Sequence, residues 1–162
     1  RFRVLHPSPW FPYLGNEASC VLRIETAHGS ALLTGDIGTV IESKLLDAAP
    51  RALRSDVVVV PHHGSAGSSS EDFVAVVRAK LAVVSSGAGN RFGHPKPRVV
   101  KRWCDSGAEV GDTARSGALR VWLGRSGLQL DERRGSRPRL WDAARRRHGP
   151  AGLCYAQETQ RP

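Results

Sequence analysis

The 162-residue chain contains no methionine, not even at position 1. A natural chain starts with one, so the sequence reads as a piece of a longer protein. Its three cysteines, Cys20, Cys104 and Cys154, lie far apart and form no CxxC pair. That spacing predicts neither a disulfide framework nor a zinc finger. No apolar run approaches the roughly 18 residues of a membrane span, and no signal peptide is visible. Acidic residues are scarce beside basic ones, 15 against 24, for a formal charge of +9. Such a balance favours polyanionic partners, although GC-rich coding also enriches arginine. Apolar residues make up 40%, enough for a packed core.

The apolar residues fall into short runs. Val21, Leu22 and Ile24, then Ala31, Leu32 and Leu33, predict a hairpin around "HGS". Val40, Ile41, Leu45 and Leu46 have helical spacing, ended by Pro50. "DVVVVP" and "KLAVVSSG" are continuously apolar, as strands covered on both faces are. Helices are expected in "SSSEDFVAVVRA", capped by Ser69 or Ser70, and in "PKPRVVKRWCDSG". One short strand and a closing hairpin follow. Helices alternating with buried strands define an α/β layered architecture over residues 1–130. Residues 131–162 hold eight arginines against four acids and read as a basic, flexible tail, with one helix possible around Leu140 and Trp141.

Three apolar runs end in polar residues. "ALLTGD" ends at Asp36, "DVVVVP" runs into His62 and His63, and "LAVVSSG" leads to Asn90 and His94. Ligands of layered α/β folds collect beyond strand ends. Each signal also has a plain structural reading: an Asx turn at Asp36, surface histidines at His62 and His63, a helix start at His94. Together they form the side-chain set that holds Zn²⁺ or Mn²⁺.

"NEASCVLRIETAHGSALLTGDI", "SDVVVVPHHGSAGSSSEDFV", "AVVSSGAGNRFGHPKPRVVKRW" and "DTARSGALRV" resemble the C-terminal domain of ComEC-type competence proteins, the membrane channels for DNA uptake. The resemblance implies the second half of a metallo-β-lactamase-like αββα sandwich. It implies two divalent metal ions, Zn or Mn, with Asp36 as a bridging carboxylate and His94 as a late ligand. His62 and His63 match positions acting on phosphate and leaving group, with Gly64, Ser65, Asn90 and Lys96 toward the substrate. The HxDxDH motif of the first half is absent from residues 1–162. The resemblance therefore implies a nuclease degrading the non-transported strand, incomplete in this chain and weak or inactive alone. The implied partners are DNA and the membrane channel of the same protein, with no small-molecule cofactor. The domain itself would be soluble and outside the cytoplasm of a bacterial inner-membrane protein. A DNA-binding module using Arg91, Lys96, Arg98, Lys101 and Arg102 is the alternative, as is a hydrolase of another ester or lactam.

Overall fold

The computed structural model describes residues 1–12, 15–139 and 153–154. It is mixed α/β. Strands β1 (Phe2–His6), β2 (Val21–Thr26) and β3 (Gly29–Leu33) form an antiparallel meander. Helices α1 (Thr39–Ala48) and α2 (Pro50–Leu53) lead into β4 (Val57–Val59). Then come α3 (Glu71–Val77), β5 (Leu81–Val84), α4 (Pro97–Asp105) and β6 (Glu109–Asp112). A short α5 (Thr113–Ser116) precedes the hairpin β7 (Leu119–Gly124) and β8 (Gly127–Glu132), and α6 (Arg133–Ser136) follows. The main sheet has the order β1 to β6, with β3, β4, β5 and β6 parallel.

Side chains alternate across a strand, so each face has its own set. Leu32, Val58, Ala82 and Val110 share the face that packs on Ile41 and Leu45 of α1, Phe73 and Val77 of α3, and Trp103 of α4. On the opposite face, Gly29 and Gly111 admit the hairpin. A Cβ at these positions would lie 3.1 Å from Leu123 and 3.2 Å from Leu119. The expected burial of the valine run on both faces is what the sheet shows: Val57 and Val58 are both buried. Pro50 does end α1, but it also opens α2 as its first residue, where a missing N–H costs nothing.

The cysteine spacing misled. Cys104 on α4 is bonded to Cys154, 50 residues away, with a Cα–Cα distance of 5.5 Å. Local spacing cannot show which cysteines the fold brings together. The neighbouring Leu153 N–H donates to the Val110 carbonyl at 3.0 Å, so the segment is pinned beside β6. The start of the predicted tail is attached as well: Asp131 and Glu132 finish β8, Arg133–Ser136 form α6, and Arg134 donates to the Ala114 carbonyl at 2.7 Å. Residues 140–152 and 155–162, where most of the expected flexible segment and the helix near Trp141 fall, lie outside the described residues. Closing a loop of this length removes denatured-state entropy worth about 4 kcal/mol. Cys104→Ser should lower stability by about that amount in urea titration. Reductant should lower the unsubstituted chain equally, and a midpoint indifferent to both treatments would show that the bond contributes nothing.

Candidate functional site

The parallel strands β3, β4 and β5 end side by side, and three loops leave from these ends. Thr34 follows β3 and its hydroxyl donates to the Val59 carbonyl at 2.6 Å. Gly35 turns the chain with φ +57°, and a Cβ there would lie 2.7 Å from the Ser19 Cβ. Only glycine fits that conformation and that space. Asp36 comes next, its N–H donating to Ser19 Oγ at 3.1 Å.

β4 stops at Val59, so the histidines do not continue the strand. His62 and His63 are left-handed, with φ +51° and +54°, and Gly64 follows at +79°. Such backbone costs a non-glycine residue of order 1–3 kcal/mol and occurs mostly where the surroundings over-determine it. Here the surroundings are backbone hydrogen bonds. The His62 N–H donates to the Gly35 carbonyl at 3.0 Å, and the Lys96 N–H donates to the Gly64 carbonyl at 2.9 Å. The loops carrying Asp36, His62–His63 and His94 are therefore stitched together through the main chain. Gly64 is again obligatory, since a Cβ would lie 2.6 Å from that of Pro95.

The two histidines diverge to different partners. His63 Nδ1 donates to the Ser85 carbonyl at 2.7 Å, which turns Nε2 to Asp36 Oδ1 at 3.4 Å. The Ser85 carbonyl makes Nδ1 the donor and sets the ring orientation, which leaves Nε2 facing the Asp36 carboxylate. His62 Nε2 accepts from the Asn16 amide at 3.2 Å. Its ring meets that of His94 edge-on, 6.2 Å between centroids. His94 Nδ1 is buried and has no hydrogen-bond partner. Burial, then the charges of Lys96, His62 and His63, push the His94 pKa below its ordinary value. A neutral imidazole with a free lone pair is the ligating form.

Asp36, His62, His63 and His94 thus come to one edge of the sheet. Asn90 and Lys96 also lie there, but their polar groups are used within the loop. Asn90 donates to the carbonyls of Gly87 (3.0 Å) and His94 (2.7 Å) and accepts from the His94 N–H at 2.9 Å. Lys96 Nζ donates to the Phe92 carbonyl at 2.7 Å. Ser65 Oγ accepts from the Gly67 N–H at 3.4 Å, and the Ser65 carbonyl accepts from Ser68. Asn16, Ser19 and Ser85 brace the cluster and carry no motif of their own.

The basic residues considered for a binding module are largely engaged elsewhere. Arg98 donates to the Ala66 carbonyl at 3.1 Å, and Arg102 donates to the Ser69 carbonyl. Lys101 pairs with Asp105 at 2.6 Å. Among the described residues, no helix is long and apolar enough to cross a membrane. No group of three or more His, Cys, Asp or Glu side chains among them could hold a metal ion. The donor chemistry suits a divalent ion, and the buried, unpartnered Nδ1 of His94 fits such a use, but the number of donors falls short of a cage.

A mixed α/β sheet with a carboxylate and three imidazoles stitched at the ends of its parallel strands is a scaffold for polar, ligand-directed chemistry. The chain is 38% identical over 133 residues to competence protein ComA of Neisseria gonorrhoeae, covering 82% of this chain and 19% of that protein. It is 38% identical over 101 residues to ComE operon protein 3 of Bacillus subtilis, covering 62% and 13% respectively. Recombination protein 2 of Haemophilus influenzae matches at 34% over 134 residues, 82% of this chain and 16% of that protein. The chain is thus related to competence proteins, and it spans less than a fifth of the length of each of these relatives. No protein-family model matches it.

Proposed function

We propose that this chain supplies part of a metal-dependent phosphodiesterase that degrades DNA during uptake, on a metallo-β-lactamase-like fold. The observation that carries the reading is the convergence of Asp36, His62, His63 and His94 through main-chain stitching of three strand-end loops. Rigid placement of this kind is what phosphoryl chemistry demands, because positioning and electrostatics do most of its work. Relatedness to competence proteins supports DNA as the substrate. The Cys104–Cys154 bond suits an oxidising compartment, in keeping with a domain outside the cytoplasm and next to a membrane channel.

Asp36 and His94 would hold divalent ions, Zn²⁺ or Mn²⁺, together with donors that the described residues do not provide. Bound there, the ions supply Lewis-acid charge at the scissile phosphate. His63, fixed by Ser85, orients Asp36. His62, whose Nε2 accepts from Asn16, gives the proton on Nδ1 to the departing 3′-oxygen as water attacks phosphorus and the P–O bond breaks, and the proton shed by the water returns to the ring through solvent. Gly64 and Ser65 border the place of the phosphate.

The test is DNA cleavage with Mn²⁺, Zn²⁺ and chelator. The 162-residue chain alone should cleave weakly or not at all. A form carrying the remaining donors should cleave, and chelator should stop it. Robust cleavage by the 162 residues alone would overturn the partial-site reading. Cleavage indifferent to chelator in the longer form would overturn the metal reading.

The left-handed turn revises the geometry expected of the histidine pair. Alternation along a continued strand would send one ring to the site and the other away, unless the chain turned sharply at Gly64. Instead both remain at the site edge with different partners, so both substitutions should affect rate, in different ways. His62→Ala should slow DNA cleavage about 10²- to 10⁴-fold, the range for a lost general acid. A nitrophenyl phosphodiester, whose leaving group needs no proton, should be nearly spared. His63→Ala should slow both substrates alike. Equal losses of His62→Ala on the two substrates would remove His62 from the acid role.

A further inference from the structure

Phe92 sits in the loop between β5 and α4 and is 58% exposed. Its position is not that of a loose surface ring. It stacks on His94 with 5.7 Å between centroids and 16° between planes. His94 in turn meets His62. The Arg91 guanidinium lies 4.8 Å from the Phe92 centroid. The loop that presents the ring is braced from within by the three Asn90 hydrogen bonds and by Lys96 Nζ on the Phe92 carbonyl. An exposed aromatic ring, held rigid, flanked by cations and continuous with the imidazoles, is the arrangement that stacks a nucleobase.

We propose that Phe92 is a stacking platform for a base of single-stranded DNA, seated beside the phosphate that His62 addresses. The proposal rests on the phosphodiesterase reading for the neighbouring phosphate, and on the ring geometry for the base. Single strands are specified because bases in a duplex are covered on both faces by their neighbours. An open π-face is what the Phe92 ring requires. Arg91 is a long side chain that can leave the ring for a phosphate or continue the stack with its planar guanidinium. Stacking of this kind tolerates any base, so the platform grips a strand without reading its sequence.

The test is binding, not cleavage. Affinity of the 162-residue chain is measured in chelator for a thymidine oligonucleotide, for an abasic phosphodiester chain of equal length, and for a duplex. The chain should prefer the thymidine strand to the abasic one. Phe92→Ala should weaken the thymidine strand about 5- to 150-fold, the range for loss of one stacked base, and leave the abasic chain and the duplex nearly unchanged. Phe92→Trp should restore the affinity, which a merely damaged loop would not. Equal affinity for thymidine and abasic strands, or no binding of either, overturns the proposal. So does a Phe92→Ala loss shared by all three ligands. Because no metal is present, failure of the nuclease reading shows in the cleavage assay alone and failure of the platform shows here alone.

Discussion

Asp36→Ala is expected to lower DNA cleavage by a form carrying the remaining donors more than about 100-fold. Losing a partner one shell outside a metal already costs about 10–100-fold, and Asp36 is placed inside that shell. The placement is specific. The residue follows a glycine that no side chain can replace, its N–H is held by Ser19, and its carboxylate faces His63 Nε2. DNA affinity in chelator should change little, because phosphate affinity comes mainly from cations. Asp36→Asn keeps the shape and loses the charge, so it should fail nearly as badly. If Asn retains most of the rate, the carboxylate serves as a turn-forming acceptor and not as a donor to an ion. Near-normal cleavage by both variants would remove Asp36 from the site.

Glu42→Ala should cost about 2–6 kcal/mol of stability, two buried donors at roughly 1–3 each. Glu42 is fully buried on α1. It accepts from the Ser69 N–H at 2.5 Å and the Ser70 N–H at 2.8 Å. Those residues carry the chain from the histidine turn into α3, where Ser70 Oγ accepts from the Phe73 N–H at 3.4 Å. Alanine would strand both donors. With total stabilities of about 5–15 kcal/mol, the variant should unfold far earlier in urea. Burial raises the pKa of Glu42 above 4.5 against the opposing hydrogen bonds from Ser70 and Ser69 and the charge of Arg102. An acid with a raised folded-state pKa keeps its proton more tightly when folded. Its contribution is therefore complete below about 4.5 and falls as pH rises through the folded value. Glu42→Gln should remove that part of the slope and cost less than alanine. An alanine variant with an unchanged urea midpoint would show that Ser69 and Ser70 find other acceptors.

Much of this arrangement is legible in the residues. The valine run before Pro61 announces a buried strand because β-branched side chains with no polar break have no solvent face. "TGD", "HHGS" and "GHP" stand out because each follows such a strand, and parallel strands must end together. What the sequence hides is what depends on the turn itself. Alternation predicts opposite directions for His62 and His63, and three successive positive φ angles cancel it. Asn90 has the chemistry of a ligand-facing residue, but its amide closes its own loop. Asn16, Ser19 and Ser85 act through proximity that only the folded sheet creates. The Cys104–Cys154 pairing is hidden for the same reason. α5 is too short to show periodicity. Its one signal is Asp112, whose carboxylate accepts from the Ala114 N–H at 2.9 Å.

The left-handed pair at 62 and 63 has a consequence for how these positions tolerate change over generations. Most side chains are penalised there, glycine is not, and asparagine, aspartate and histidine are penalised less than the rest. A lineage that gave up the chemistry would relieve the backbone at 62 and 63 by drifting to glycine. Retention of both imidazoles in a lineage would then record selection for what the rings do. Sequencing many descendants of an inactive and an active parent under selection for expression would read that record. Glycine should accumulate at 62 and 63 in the first population and not in the second.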